Sequence, residues 1–279
     1  MNTITIGLVQ MRCEKGAVAE NLAAIQRHIQ EGISQGADIL CFPEMSITGY
    51  LDPNRWPEAI LRLDGPEVAR FVAMTAGAPI TALAGLVEAN PDGKPFITQI
   101  VARSGQLMGC YRKKTIIDEE AAWFSPGAAV PVFAHPKATF GVSICADIDD
   151  PAIFAEIARQ GAVEREVRAA GESAGTQFPQ APAAEGARII FEAAAPGLYG
   201  DQATRNWQSG FAWWRDKCQQ QLGQYARDNR VYIAVATQAG RTIDEDFPGG
   251  GYLFAPDGSR LSATPDWSEG VLYTSVKLE

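Results

Sequence analysis

Histidine is nearly absent from this chain of 279 residues: only His28 and His135 occur. A cysteine–histidine hydrolase would have to use one of these two. His28 sits inside a helical pattern, and His135 precedes Pro136 in a segment that reads as a loop, so neither suits a catalytic base. Cysteine is sparse and odd in number (Cys13, Cys41, Cys110, Cys145 and Cys218), with no CxxC pair. A reduced, cytoplasmic protein without a metal site or cofactor is the reading this favours. Basic clusters are short, the longest being Arg112-Lys113-Lys114, and the net charge is −9. Nucleic acid and anionic membrane are therefore poor partners. No apolar run approaches the roughly 20 residues needed to span a bilayer, and no basic-then-apolar leader pattern is seen.

What is present is the composition of a globular chain, 46% hydrophobic against 20% charged. Ile4, Ile6 and Leu8 alternate as in a strand, and Val18, Leu22, Ile25, Ile29 and Ile33 follow at helical spacing until Gly36. Asp38 to Phe42 reads as a buried strand, Gly65-Pro66-Glu67 opens a helix, and Ile80 to Val87, Phe96 to Ala102 and Gln106 to Arg112 read as three further strands. The second half repeats the plan. Strands are expected at Phe140 to Ile144, Arg188 to Ala193 and Val231 to Thr237, with helices at Pro151 and at Trp207 to Asp228. Short strands follow at Gly251, Arg260 and Gly270. Two helix-covered sheets, an α/β chain folded as an α-β-β-α sandwich with two mixed sheets, follow from this order. No linker divides the chain, so residues 1–279 read as one domain.

Three ionisable groups fall at the ends of buried strands: Glu44 after Leu40-Cys41-Phe42-Pro43, Lys113 after Cys110-Tyr111-Arg112, and Cys145 after Val142-Ser143-Ile144. Parallel strands of one sheet would bring such ends into one pocket. A carboxylate there can take a thiol proton, and an ammonium favours the thiolate and can donate to an oxyanion. Each residue alone has a plainer reading: a solvated helix start, a surface lysine, an inert packed cysteine. Beyond Cys145, Pro151 suits a first helical turn, and Asp149 or Asp150 suits its cap.

Phe42-Pro43-Glu44, Tyr111-Arg112-Lys113 and Ile144-Cys145-Ala146-Asp147 resemble, in order and spacing, the signatures of the nitrilase superfamily of carbon–nitrogen hydrolases. Gly36-Ala37-Asp38, Ile47-Thr48-Gly49-Tyr50, Glu120-Ala121-Ala122-Trp123-Phe124, Arg227-Asp228-Asn229 and Phe254-Ala255-Pro256-Asp257-Gly258 extend the resemblance over nearly the whole chain outside 161–186. It implies Cys145 as nucleophile, Glu44 as general base and acid, Lys113 as stabiliser of the tetrahedral intermediate and Glu120 as a second acid that positions base and substrate. The Ala146 N–H would be an oxyanion donor, and Tyr50, Trp123 and the loop Ala195–Tyr199 would line the pocket. The implied reaction cleaves a non-peptide C–N bond of a small-molecule amide through a Cys145 thioester, releasing ammonia or an amine. An N-carbamoyl amide hydrolase, with Arg205 or Arg55 holding a carboxylate, and a nitrilase are the alternatives; an idle binding or assembly module is the reading from another class. Two departures stand out. Ala146 replaces a bulky residue, and Ile148-Asp149-Asp150-Pro151 replaces an aromatic-proline run.

Residues 161–186 are rich in Ala, Glu, Gly and Pro, with Phe178 the one large aromatic, and read as an exposed insertion. Val163 and Val167 extend the preceding helix to about Ala170, and a loop follows through Pro182. The resemblance also implies a homodimer or larger homo-oligomer, for which the helix bearing Trp207, Phe211 and Trp214 offers an apolar surface.

Overall fold

The computed structural model describes residues 2–160, 186–198 and 201–278. The strands and helices run β1 (Asn2–Gln10), α1 (Val18–Ser34), β2 (Ile39–Cys41), α2 (Pro66–Ala73), β3 (Thr81–Glu88), β4 (Phe96–Arg103), β5 (Gln106–Arg112), α3 (Glu120–Trp123), β6 (Val132–His135), β7 (Ala138–Ile144) and α4 (Pro151–Arg159). They continue as β8 (Ile189–Ala194), α5 (Trp207–Asn229), β9 (Tyr232–Thr237), β10 (Ala239–Arg241), β11 (Asp246–Pro248), β12 (Gly251–Phe254), β13 (Arg260–Ala263) and β14 (Gly270–Leu278).

Two six-stranded mixed sheets form, in the orders β14-β1-β2-β3-β4-β5 and β13-β12-β9-β8-β7-β6. Each has three parallel strands at its centre, β1-β2-β3 and β7-β8-β9, continued by an antiparallel meander. On the other side of β1 lies antiparallel β14, and on the other side of β7 lies antiparallel β6. The twofold plan expected from the sequence is thus present, with the last strand closing the first sheet.

Period-2 alternation sorts the strand side chains. Ile4, Ile6 and Leu8 of β1 and Leu83 and Val87 of β3 join Val142, Ile144, Phe191 and Ile233 in the central core. The opposite faces, with Val9, Leu40, Ala82, Ala84 and Leu86, pack under Leu22, Ile25 and Ile29 of α1 and Val68 and Phe71 of α2. Helices α4 and α5 cover the second sheet through Phe154, Ile157, Trp214, Cys218 and Leu222.

Several expectations change. His135 ends strand β6 and does not lie in a loop. Pro131 and Pro136 bracket that strand, which is tolerated because it is an edge. The β10-β11 hairpin is also new. Phe211 and Trp214 are buried within the chain, so they offer no free face to a second copy; of the three residues named on that helix for such a surface, only Trp207 is partly open. Asp150 caps α4, accepting from the Ala152 N–H at 3.0 Å. The extension to Ala170, the loop through Pro182, Phe178 and Tyr199 lie outside the described residues.

Candidate active site

Glu44 leaves β2 through a tight turn. Gly85 of β3 makes the turn possible: a Cβ there would lie 2.2 Å from the Met45 nitrogen and 2.9 Å from the Glu44 carbonyl carbon. Met45 itself takes a φ of 48°. Gln99 of β4 donates to the Phe42 carbonyl at 3.0 Å and fixes the strand end. Lys113 follows β5, which runs parallel to β2 and β3 because two antiparallel pairings separate β5 from β3. Cys145, however, follows β7 of the second sheet. The three groups therefore do not come from one sheet; the sandwich brings the carboxyl ends of β2 and β5 against that of β7.

Lys113 is buried, and its Nζ donates to Glu44 Oε1 at 2.9 Å and Glu120 Oε1 at 2.6 Å. The Tyr50 hydroxyl donates to the same Glu120 oxygen at 2.8 Å. Glu44 Oε2 accepts from the Ala195 N–H at 3.0 Å, at the end of β8. Both carboxylates are thus held by an ammonium and a second donor, as burial of charge requires.

The electrostatics set the proton positions. Burial pushes the Glu44 carboxyl up to about 7; the Lys113 ammonium opposes the shift and Glu120 adds to it. Burial disfavours the Lys113 charge, yet Glu44, Cys145 and Glu120 more than restore it, so its pKa rises. The Cys145 thiol is raised well above its usual value by burial and by Glu44, with Lys113 acting against them. Burial first, and Glu44 after it, thus favour the protonated thiol, while Lys113 favours the thiolate, and Glu44 is the adjacent group that can take the proton.

Cys145 opens a 3-10 turn (Cys145–Asp149) in a left-handed backbone conformation, φ 46°. A non-glycine residue in that region carries strain of about 1–3 kcal/mol. Asp147 holds the elbow: its carboxylate accepts from the Ile144 N–H at 2.9 Å, the Thr115 N–H at 2.8 Å and the Tyr111 hydroxyl at 2.7 Å. Tyr111 and Asp147 thereby tie the cysteine turn to the segment carrying Lys113. The sequence reading assigned Tyr111 no role, although its period-2 relation to Lys113 placed both on one face. The Ala195 N–H, a backbone group, left no side-chain signal.

A cavity of about 550 Å³ opens above this cluster. Cys145, Lys113, Glu120, Tyr50, Ala146 and Trp123 line it, as do Ala195 to Leu198, Arg55 and Arg205. Neither histidine does. Arg205 pairs with Asp246 at 3.2 Å, and Arg55 pairs with Asp244 at 3.3 Å while its guanidinium lies 4.5 Å from the Trp56 ring centroid. Among the described residues, no group of three or more His, Cys, Asp or Glu side chains could hold a metal ion, and no helix is long and apolar enough to cross a membrane.

A family model described as carbon-nitrogen hydrolase matches residues 5–163 and 176–279. The chain is 32% identical over 180 residues to a formamidase of Bradyrhizobium sp. (strain ORS 278), covering 61% of this chain and 52% of that protein. It spans about half the length of the curated formamidases it matches. A glutamate-to-glutamine mutant of an amidase of Nesterenkonia sp. AN1, solved with the acetamide moiety of fluoroacetamide added covalently at its active-site cysteine, superposes with a TM-score of 0.74 at 20% identity, covering 98% of this chain and 90% of that one. A CN-hydrolase superfamily protein of Xanthomonas campestris, with an arsenic adduct in its active site, gives 0.76 at 16% identity, covering 99% and 91%. These likenesses show a shared fold. The family match takes in Glu44, Lys113, Glu120 and Cys145 alike: the chain belongs to the carbon–nitrogen hydrolase family, of the nitrilase superfamily.

Proposed function

We propose that the chain hydrolyses the C–N bond of a small-molecule amide through a thioester at Cys145. The observation that carries this is the buried Lys113 ammonium bridging Glu44 and Glu120 at 2.9 and 2.6 Å, beside a thiol that opens on the same cavity. Attack on the amide carbonyl passes the thiol proton to Glu44, whose pKa near 7 suits both taking it and later giving it to the leaving nitrogen. Lys113 and the Ala146 N–H face the oxygen that becomes negative, a type of contact worth roughly 3–4 kcal/mol per donor. Glu120, held by Lys113 and Tyr50, keeps the ammonium in place. A water activated by Glu44 then cleaves the thioester and frees Cys145.

The formamidase and amidase relatives support amide as substrate. A carbamoylase would need Arg205 or Arg55 for a substrate carboxylate, and both already pair with aspartates. The complete Glu44–Lys113–Cys145 set speaks against an idle module. Residues 1–279 are proposed as one domain, supported by a core shared between both sheets, with an insertion near 161–186 where the family match skips 164–175. A cytoplasmic site of action and a homodimer complete the proposal; the former rests on five free cysteines, the latter on the family resemblance. Ammonia release from a panel of primary amides, nitriles and N-carbamoyl amino acids tests the reading. Turnover of amides that disappears in Cys145→Ser supports it; turnover that persists in Cys145→Ser, or is confined to nitriles, contradicts it.

A further inference from the structure

The cavity is far larger than the chemistry at its floor requires. At about 550 Å³ it has room for roughly 18 waters of about 30 Å³ each. Formamide or acetamide would occupy the polar floor at Lys113, Glu120 and Cys145 and leave most of that volume to solvent. The walls above the floor mix charged side chains, among them Asp118, Glu119, Asp149, Arg205 and Lys217, with large apolar ones. Trp56, Trp123, Trp213 and Trp214, four of the chain's six tryptophans, line this one cavity, together with Ile117 and Ile148. Trp213 is 45% exposed and Ile117 41% exposed, so among the described residues two large apolar side chains at this site keep open sides. At the floor, Ala146 presents only a methyl group beside Cys145, which leaves the passage from the thiol to these walls open.

Large apolar side chains grouped on one wall of a concave site, as Trp123, Trp213 and Ile117 are beside the charged ones, are the arrangement that buries a ligand's apolar body while polar groups orient its reacting end. Resting on the amide-hydrolase reading above, we propose that the substrate is a primary amide of an extended, aryl- or long-alkyl-bearing carboxylic acid, whose acyl body lies against Trp123, Trp213 and Ile117. The assignment to the acyl side follows from the two-step chemistry. The acyl group stays on Cys145 through attack and hydrolysis, so contacts made to it act in both steps; contacts to the departing nitrogen act in one. The Cys145–S bond to the acyl carbon forms as the C–N bond breaks, ammonia leaves with the proton from Glu44, and water returns the carboxylic acid.

The test is a ladder of primary amides read by ammonia release: acetamide, butanamide, hexanamide and 3-phenylpropanamide. Each buried methylene should raise kcat/KM about fourfold, and 3-phenylpropanamide should exceed acetamide by roughly 100-fold. Trp213→Ala should lower kcat/KM for 3-phenylpropanamide at least tenfold more than for acetamide. Calorimetry on Cys145→Ala protein gives a reading independent of turnover, and there 3-phenylpropanamide should bind at least tenfold tighter than acetamide. A flat or falling ladder with turnover intact overturns this inference and leaves the hydrolase reading standing. Tight binding of 3-phenylpropanamide without turnover of any amide supports the pocket and overturns the hydrolase reading. Equal binding of the two amides to the Cys145→Ala protein overturns the inference whatever the turnover shows.

Discussion

Two groups of buried carboxyls lie near the cysteine turn, and they are built differently. Glu44 and Glu120 share the Lys113 ammonium and sit under the open cavity. Glu192, on β8 beside Ser143 of β7, is also fully buried, but its recorded contact is the Ser143 hydroxyl at 2.5 Å, and Oε1 has no hydrogen-bond partner. Burial raises its pKa well above the usual carboxylate range, with Ser143 acting against the shift, so the neutral form is favoured. Asp147 lies between these extremes: a carboxylate with three donors and no direct cation. The difference teaches which carboxyls carry charge for chemistry and which complete the packing of the sheet. Charge survives burial where a cation or several hydrogen-bond donors meet it, and a carboxyl with neither favours a proton.

Removing the cation should have the largest effect. Lys113→Ala leaves two buried carboxylates facing each other, so unfolding titrations should show a loss of roughly 3–5 kcal/mol. The kcat of any folded fraction should fall at least 100- to 1,000-fold, as for loss of an oxyanion donor. Glu44→Gln should lower kcat by roughly 100- to 10,000-fold, the range for loss of a general base. Its stability should behave in the opposite way. Because the folded pKa of Glu44, about 7, lies above the ordinary value of 4.5, this group favours the fold most below pH 4.5 and loses that contribution as pH rises through 7. Glu44→Gln removes this dependence, so the gap in melting temperature between the variant and the parent should shift in the variant's favour from pH 5 to pH 8. For the same reason the parent's kcat/KM should rise with pH through about 7, as Glu44 loses its proton and becomes able to act as base; a profile flat from pH 5 to 8 would separate Glu44 from the chemistry.

Smaller effects come from the groups that hold but do not react. Asp147→Ala strands the Tyr111 hydroxyl and two backbone N–H groups, at about 1–3 kcal/mol for each group left buried and unpaired. Its kcat should fall more than its KM rises, because the cysteine turn loses its anchor. Glu192→Gln substitutes a neutral amide for a carboxyl whose charge burial disfavours and should change stability by about 1 kcal/mol or less, with kcat within roughly twofold of the parent. A Glu192→Gln loss comparable to that of Glu44→Gln would erase the contrast between the two groups.

Much of this architecture is legible in the residues. The alternation of Ile4, Ile6 and Leu8 and the 3.6-residue spacing from Val18 to Ile29 place β1 and α1 because half-buried elements show their period. The Pro151 helix start and its Asp150 cap are local chemistry and are equally plain. Strand β6 is hidden because two prolines frame a run of only Val132 to His135, and β10 and β11 because three-residue strands carry no period. At the site, strand ends and local motifs mark Glu44, Lys113 and Cys145. What sequence spacing does not carry is sheet membership: nothing within Val142-Ser143-Ile144 says that its strand lies opposite β2 and β5. Nor does it carry the balance of burial and charge that raises the Cys145 thiol, since that balance depends on distances across the sandwich.

Covalent labelling of the five free cysteines tests the central claim most directly. Cys110 is partly exposed like Cys145, but it lacks a catalytic partner: burial and Glu88 push its thiol up to about 12, and Arg112 opposes them. Cys13, Cys41 and Cys218 are buried. The folded protein is treated with fluoroacetamide at neutral pH, and the adducts are located by peptide mass spectrometry, in the parent and in Glu44→Gln and Lys113→Ala. The account predicts one fast adduct, at Cys145, with slower labelling in both variants and no comparable reaction at Cys110. Labelling of Cys110 at the rate of Cys145, or a Cys145 rate indifferent to both substitutions, would contradict it.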